Sequence, residues 1–347
     1  GKFKVAFSIS GMALEQLELH APQAIDSFKR LADTGCAEFL AETYPHSLAS
    51  LSDTDEFENQ VRHHMKKMKE LFGQTPVVLR NSSLIYSDQI GERVAEMGFR
   101  GMLTDGAKHV LGWKSPNFLY TNAINPKLKL LLKNSRLSDD IAMRFSDKSW
   151  NEWPLTADKY ADWLSDSAKE SEIVNLFMNY ETFGEYQTAE SGIFDFMRYL
   201  PEAVFSRGDF EFLTPGEVIK KHQPVAPLHV PYPISWVDEE RDITSWLGNE
   251  LQTEAFEELY KVQEKVKRSD DEALKRDYER LQASDHFYYM RTKLFSDNEF
   301  RRYTSPYDSP YEAFINYMNV LSDFILRVEE SDRKRDEKPE TRKTKKR

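Results

Sequence analysis

The sequence predicts an α/β protein whose first two thirds form a barrel-like set of parallel βα units, followed by an α-helical subdomain. Short apolar runs alternate with amphipathic segments, which is typical of parallel βα units in either a barrel or an open sheet. About seven apolar runs precede residue 215, and this number favours a barrel-like arrangement that is not fully closed. Beyond about residue 216 the pattern becomes helical and charged.

The predicted strands are apolar runs bounded by polar or turn-forming residues. They are, in order, "KVAFSIS", "AEFLAET", "PVVLRNSS", "FRGMLTDG", "IAMRFSD", "EIVNLFMNY" and "FEFLTP". Segments whose apolar residues have helical spacing lie between these strands. One is "DTDEFENQVRHHMKKMKELFG", with Phe57, Val61, Met65, Met68 and Leu71. "TPGEVIKKHQP" predicts a capped helix and "VAPLHVPYPIS" a proline-spaced loop, after which three helical stretches follow. We therefore expect a barrel domain over residues 1–222 and a helical domain over 223–330 that completes the site.

Charge is distributed unevenly along the chain. The 347 residues carry a net charge of −11, which argues against a nucleic acid or an anionic membrane as partner. Residues 331–347 hold nine Lys/Arg and four Asp/Glu and have no apolar side chain to bury. They predict a disordered basic tail, either a solvated end or a basic interaction arm.

Cysteine content and the ends of the chain give further expectations. The lone Cys36 excludes an intrachain disulfide and fits a reducing compartment, so we expect a cytoplasmic protein. No signal peptide or transmembrane run appears in the sequence. The chain opens directly on a core-like strand, and we expect it to be N-terminally truncated.

Polar and aromatic residues follow the predicted strands, where the chemistry of βα proteins collects. They are Thr43, Tyr44, His46, Asn81, Ser82, Ser83, Asp105, Ser146, Asp147, Trp150, Trp153, Asn179, Tyr180, Glu181 and Glu185. Aromatic rings can stack on sugar faces, while amides and carboxylates bind sugar hydroxyls. This lining is suited to carbohydrate.

Four stretches resemble conserved regions of glycoside hydrolase family 57, above all its α-amylase branch. They are "GCAEFLAETYPHS", "VLRNSSLIYSD", "NLFMNYETFGEYQ" and "ASDHFYYM". "GAKHVLGWKSPNFLY" and "ISWVDEERDITSWLGN" also resemble that branch, so the likeness extends to about residue 330. The resemblance implies a retaining α-glucan hydrolase or transferase on an incomplete (β/α)7 barrel with a helical domain.

The chain departs from this family at both catalytic positions. The family's nucleophile is the Glu of R-N-x-E-L-I-Y, and that position holds Ser83. Its general acid is the Asp of D-Y-E-T-F-G, and that position holds Asn179. The family's N-terminal H-Q-P region is absent, and the "HQP" at residues 222–224 lies too far along the chain to replace it. Retaining glycosidases need two carboxyl groups, so we expect a catalytically impaired protein.

The same resemblance implies a set of substrate-binding residues for an α-glucan or maltooligosaccharide. They are Glu38, His46, Trp113, Tyr180, Glu181, Glu185, Trp236, Asp285 and His286. Glu38 could instead be a salt-bridged strand residue, and Trp113 and Trp236 could belong to the core.

One alternative to an impaired protein remains open at this point. Glu181 could take over acid/base work, which would make the chain an active retaining enzyme. Ser83 with His46 lacks the G-x-S-x-G elbow of a hydrolase nucleophile. His46, His286 and nearby carboxylates lack metal-ligand spacing, so we expect no metal and no cofactor. The sequence identifies no protein partner.

Overall fold

The computed structural model describes residues 2–52, 54–208, 210–293 and 305–336. These residues form two compact units. The first comprises residues 2–44 and 54–243, and the second comprises residues 45–52, 244–293 and 305–336. Within these described ranges, no helix is both long and apolar enough to cross a membrane.

The first unit is built on short strands that form a mostly parallel sheet. The strands are β1 (Val5–Phe7), β2 (Ala37–Phe39), β3 (Val78–Arg80), β4 (Gly101–Asp105), β5 (Tyr120–Asn122), β6 (Lys129–Lys133) and β7 (Ala226–Leu228). β1 pairs with β2, and the other strands lie in the order β3-β4-β6-β5-β7. A parallel bridge between Ala41 and Leu79 joins the end of β2 to β3. β5 runs antiparallel to β6, and the other pairings are parallel.

Helices cover this sheet and connect its strands. They are α1 (Gly11–His20), α2 (Pro22–Asp33), α3 (Thr54–Phe72), α4 (Asp88–Glu96), α5 (Lys108–Leu111), α6 (Ser135–Ala142), α7 (Ala157–Ala168), α8 (Ile193–Phe205) and α9 (Pro215–Lys221). β4 is buried along its whole length, as expected for a strand covered on both faces. Side-chain caps start several helices, including Ser87 at α4 and the Thr214 capping box at α9. The mixed α/β fold with a parallel sheet confirms the predicted fold class.

Three predicted strands are wrong. Ile141 and Ala142 of "IAMRFSD" end α6, because Leu137 and Ile141 lie one helical turn apart and both pack in an apolar cluster that also contains Phe145. Within the described residues, "EIVNLFMNY" and "FEFLTP" form no strand. The structure instead forms β5, β6 and β7, and β7 lies within the stretch predicted as a proline-spaced loop.

The second unit is helical. Its helices are α10 (Thr244–Leu247), α11 (Glu250–Lys261), α12 (Gln263–Arg268), α13 (Glu272–Leu281), α14 (Ser284–Tyr289) and α15 (Pro310–Asp336). α15 packs against the four helices α11 to α14, with Leu321 and Phe324 fully or almost fully buried. Residues 223–243, including β7, pack with the first unit. Of the predicted basic tail, residues 331–336 continue α15, and residues 337–347 lie outside the described residues.

Candidate functional site

The carboxyl ends of the parallel strands β2, β3, β4 and β6 bring polar residues to one side of the sheet, which we call the sheet edge. Thr43 follows β2, Ser82 and Ser83 follow β3, Asp105 ends β4 and Lys133 ends β6. The hydroxyl oxygens of Thr43 and Ser82 are 2.8 Å apart and share a hydrogen bond. The ends of β2 and β3 are therefore joined directly beside Ser83.

Ser83 lies in a tight turn whose backbone conformation is unfavourable. The turn Ser82–Leu84 is a 3₁₀ helix in which Ser83 has φ 51° and Leu84 has φ 56°. Left-handed backbone costs a non-glycine residue about 1–2 kcal/mol, so the surrounding contacts must stabilise it. Asn81 Nδ2 donates to the Ile85 carbonyl at 2.9 Å, and the Trp236 amide donates to the Ser83 carbonyl at 3.3 Å. Ser83 is thus a buried residue in a strained turn that neighbouring hydrogen bonds hold.

Asn179 follows an extended segment, residues 173–178, that is hydrogen-bonded to β6 and α6. The Asn134 amide donates to the Asn175 carbonyl at 2.9 Å, and Asn175 Nδ2 donates to the Leu132 carbonyl at 3.1 Å. The Phe177 amide donates to Ser138 Oγ at 3.1 Å. The segment that leads to Asn179 therefore passes close to the carboxyl end of β6.

The residues that follow Asn179 are solvent-accessible. Tyr180, Glu181 and Glu185 are exposed, and the Asn179 carbonyl accepts the Thr182 amide at 3.1 Å. The Tyr180 ring lies 6.0 Å from the Phe28 ring, between centroids. Of the two carboxylates predicted to bind substrate, Glu181 lies in the 3₁₀ turn Tyr180–Thr182 and Glu185 lies three residues beyond it.

Two other predicted binding residues of the first unit have different surroundings. Glu38 lies in the middle of β2, and its Oε2 accepts the Gly216 amide at 2.7 Å in the first turn of α9. A Cβ on Gly216 would lie 2.8 Å from Glu38 Oε1, so a larger residue there would displace the Glu38 carboxylate. Glu38 therefore stabilises the start of α9. Trp113 is 93% exposed in the loop after α5.

His46, Asp285 and His286 belong to the second unit. His46 has φ 56°, and its carbonyl accepts the Ser284 amide at 3.1 Å, one residue before Asp285. His286 Nε2 lies 3.2 Å from the Arg280 carbonyl oxygen, and burial lowers the pKa of His286. The structure brings these three residues together within their own unit.

A buried charged cluster at the sheet edge was not recognised from the sequence. We call it the Asp105 cluster, and it consists of Asp105, Lys133, Ser135, Asp139, Trp236 and Arg241. Ser135 Oγ donates to Asp105 Oδ1 at 2.9 Å, and Arg241 Nε lies 3.6 Å from Asp105 Oδ2. Burial raises the pKa of Asp105, while the Arg241 guanidinium and the Lys133 ammonium oppose that rise.

The remaining contacts of the cluster involve Trp236. Lys133 Nζ pairs with Asp139 Oδ1 at 2.9 Å and lies 5.6 Å from the centre of the Trp236 ring. Arg241 Nη1 donates a hydrogen bond to the Trp236 carbonyl. The position of Asp105 after "GMLT" was a usable signal, whereas Lys133 and Arg241 had none.

A second buried group, around Glu42, was also missed. Glu42 is 1% exposed, accepts a hydrogen bond from Ser8 Oγ and lies 3.4 Å from Arg80 Nη1. The Glu42 amide donates to His64 Nδ1 at 3.3 Å, and His64 Nε2 lies 2.8 Å from the Ile9 carbonyl. These contacts require neutral His64 with the proton on Nε2, and burial lowers the pKa of His64 accordingly. The group connects the ends of β1 and β2.

Metal binding has no structural support in the described ranges. Among residues 2–52, 54–208, 210–293 and 305–336, no three His, Cys, Asp or Glu side chains are placed to hold a metal ion.

Sequence comparison gives a family match that covers most of the chain. Residues 1–231 match the profile of glycosyl hydrolase family 57. A Methanocaldococcus jannaschii protein named "Putative alpha-amylase" is 41% identical over 339 residues, which cover 94% of this chain and 72% of the relative.

Solved structures show the same fold at low sequence identity. The 4-alpha-glucanotransferase of Thermococcus litoralis gives a TM-score of 0.68 at 15% identity, over 82% of this chain and 49% of that one. The chain thus spans about half the length of the glucanotransferase. A GH57 branching enzyme of Thermococcus kodakaraensis gives 0.63 at 14% identity, over 94% and 75%. The alpha-amylase AmyC of Thermotoga maritima gives 0.59 at 13%, over 94% and 77%.

Proposed function

Because the chain belongs to glycosyl hydrolase family 57, we propose that it binds an α-glucan or maltooligosaccharide at the sheet edge without cleaving it. The observation that carries this proposal is the pair of neutral residues at the two family catalytic positions, Ser83 and Asn179. Ser83 follows the carboxyl end of β3, and the segment before Asn179 is hydrogen-bonded near the carboxyl end of β6, which supports the proposal. In this proposal the site keeps polar groups but lacks its two carboxyl groups.

The chemistry of glycoside cleavage explains why these substitutions are disabling. A retaining mechanism uses one carboxylate as nucleophile and a second carboxyl group to protonate the leaving oxygen. The Ser83 hydroxyl needs an activating base to attack an anomeric carbon, and Asn179 has no proton to transfer near neutral pH. Amide and hydroxyl groups still bind sugar hydroxyls, so binding survives the loss of chemistry.

The proposed binding surface lies in the first unit and uses the residues that the family resemblance indicates there, Trp113, Tyr180, Glu181, Glu185 and Trp236. The resemblance also indicates His46, Asp285 and His286, which we propose separately as sugar-binding residues of the second unit. Glu38 supports this surface indirectly, through its hydrogen bond to α9.

The expected partner is a neutral oligosaccharide rather than a polyanion. The net charge of −11 disfavours nucleic acid and anionic membranes as partners of this surface. The single Cys36 is compatible with a reducing compartment such as the cytoplasm.

Calorimetry and a turnover assay on the same preparation test this proposal. Purified protein should bind maltohexaose while releasing no reducing ends and no chromophore from an aryl maltoside. Absence of binding would refute the proposed function. Turnover that disappears in Glu181→Gln would instead support the alternative, an active retaining enzyme in which Glu181 replaces the lost acid.

Restoring both carboxyl groups tests the cause of inactivity. We expect Ser83→Glu combined with Asn179→Asp to create hydrolysis that neither single variant shows, because the two groups act as a pair. Ser83→Gln with Asn179→Asp is the matched control, since Gln resembles Glu in size but cannot act as nucleophile. Equal hydrolysis by both double variants would contradict the assigned role of position 83.

A further inference from the structure

The Asp105 cluster connects a buried carboxyl group to the candidate sugar-binding residue Trp236. Asp105 pairs with Arg241, and Arg241 donates to the Trp236 carbonyl. The amide of the same tryptophan donates to the Ser83 carbonyl at 3.3 Å. Both peptide groups of Trp236 are thereby held, one through Arg241 and the other by the strained Ser83 turn.

The loop that carries Trp236 is itself constrained by Arg241. The Ser235 amide donates to the Arg241 carbonyl at 3.1 Å, and Arg241 has φ 52°, a conformation that costs a non-glycine residue free energy. An arginine in this conformation needs external contacts to hold it. Asp105 supplies one of them from β4, an element far away in the chain.

A contribution to fold stability does not explain why a buried aspartate occupies position 105. The side chain is fully buried, and burial raises the pKa of its carboxyl group despite two neighbouring cations. Desolvation therefore outweighs the attraction to Arg241 and Lys133, so the ionised carboxylate costs stability at neutral pH. A neutral side chain of the same shape would cost less.

We propose that Asp105 is a positioning residue of the glucan site, whose carboxylate orients Arg241 and thereby fixes Trp236 and the Ser83 turn at the sheet edge. This inference rests on the proposed function for its ligand. The positioning of Trp236 by Asp105 does not depend on the proposed function. It can be measured without ligand, from the environment of the Trp236 indole.

The chain contains a chemically matched cluster for comparison. Asp140 Oδ1 accepts the Arg144 Nε hydrogen at 2.8 Å, and the Arg144 guanidinium lies 5.7 Å from the Trp150 ring centre. Burial raises the pKa of Asp140 as well. Asp140→Asn is therefore the same chemical change in a similar environment, placed on α6 and outside the proposed glucan site.

Fluorine NMR of fluorotryptophan-labelled protein tests the positioning directly. Trp236→Phe and Trp150→Phe identify the two resonances. We expect Asp105→Asn to shift or broaden the Trp236 resonance and to weaken maltohexaose binding about tenfold, the effect of losing one charge-assisted contact. The melting temperature should stay the same or rise. Asp140→Asn should perturb the Trp150 resonance and leave affinity unchanged.

A second variant shows whether the effect passes through the ion pair. Arg241→Gln should reproduce the loss of affinity, and adding Asp105→Asn to it should weaken binding little further, because the two residues act as one unit. Additive losses would overturn the inference. An unchanged Trp236 resonance and affinity in Asp105→Asn would also overturn it, as would a large fall in melting temperature, which indicates a structural role.

The two proposals can fail separately. If the wild-type protein binds no maltohexaose, the proposed function is refuted. The Trp236 resonance in Asp105→Asn and Arg241→Gln still decides whether Asp105 positions the tryptophan.

Discussion

Two buried aspartates in the first unit pair with an arginine next to a tryptophan, but the two clusters are built in different ways. Asp140, Arg144 and Trp150 lie within eleven residues, and the ion pair has the i, i+4 spacing of a helix. Asp105 and Arg241 come from β4 and from a loop far along the chain. In the first cluster the guanidinium faces the indole ring, whereas in the second it binds the backbone carbonyl of Trp236.

The surroundings of the two tryptophans show what each arrangement achieves. Both tryptophans are half-buried and pack against an apolar cluster. Trp150 packs with α6, α7 and α8, and its ring lies 6.0 Å from the Trp163 ring. Trp236 lies beside the strained Ser83 turn, with Lys133 near its ring. A local cluster here consolidates helix packing, whereas the long-range cluster fixes a loop at the candidate site. Stability and binding should therefore respond differently to matched substitutions.

The largest expected difference between the two clusters comes from replacing Trp150 or Trp236 with alanine. Trp150→Ala and Trp236→Ala should each lower the free energy of unfolding by about 1–3 kcal/mol, because each indole is half-buried against an apolar cluster. Trp236→Ala alone should weaken maltohexaose binding. Chemical denaturation and calorimetry measure the two effects. Equal losses of affinity in both variants would remove the proposed distinction between the clusters.

The pH dependence of stability should sharpen the comparison. Burial raises the pKa of Asp105 and of Asp140, so the folded protein holds these protons more tightly than the unfolded chain. The stability from this protonation is fully present below the unfolded pKa of about 4 and is lost as the pH rises through the raised folded pKa. The free energy of unfolding of wild type minus that of Asp105→Asn should therefore fall as the pH rises above about 4.

The slope of this difference is at most about 1.4 kcal/mol per pH unit, the value for one proton. Four groups face Asp105: Arg241, Lys133 and Ser135 lower the pKa of its carboxyl group, whereas Asp139 raises it. Burial has the largest effect and sets the direction. Asp140→Asn should give the same sign. A difference that rises with pH would show that attraction to Arg241 and Lys133 exceeds the desolvation of Asp105.

The contrast between local and long-range contacts also explains what the sequence could predict. β1 to β4 were recognisable because each apolar run is bounded by clear turn or helix signals. β6 was missed because "KLLLK" resembles helical sequence and lacks β-branched residues. β7 contains Pro227 and was interpreted as a loop, yet proline is tolerated there because β7 is the last strand in the sheet order.

The same distinction between local and long-range contacts applies to the residues of the candidate site. Ser83 and Asn179 could be predicted as the two catalytic positions because each lies inside a contiguous motif. The pairing of Asp105 with Arg241 could not be predicted, because it depends on how a loop folds back over β4. Glu42 was likewise overlooked beside Glu38, although Glu42 is the one buried at the carboxyl end of β2. Sequence spacing shows neighbours along one element, but contacts between elements require the tertiary structure.

The smallest expected effect concerns Trp113, an exposed indole that extends the comparison to a third tryptophan. Trp113→Ala should change the free energy of unfolding by less than about 0.5 kcal/mol, because the side chain is 93% exposed and little packing is lost. If Trp113 stacks on a sugar, maltohexaose affinity should still fall severalfold. Tyr199→Ala on α8 is the matched control, an exposed aromatic residue outside the proposed site. Equal affinities in the wild type and Trp113→Ala would remove Trp113 from the binding surface and leave Trp236 as the tryptophan that contacts glucan.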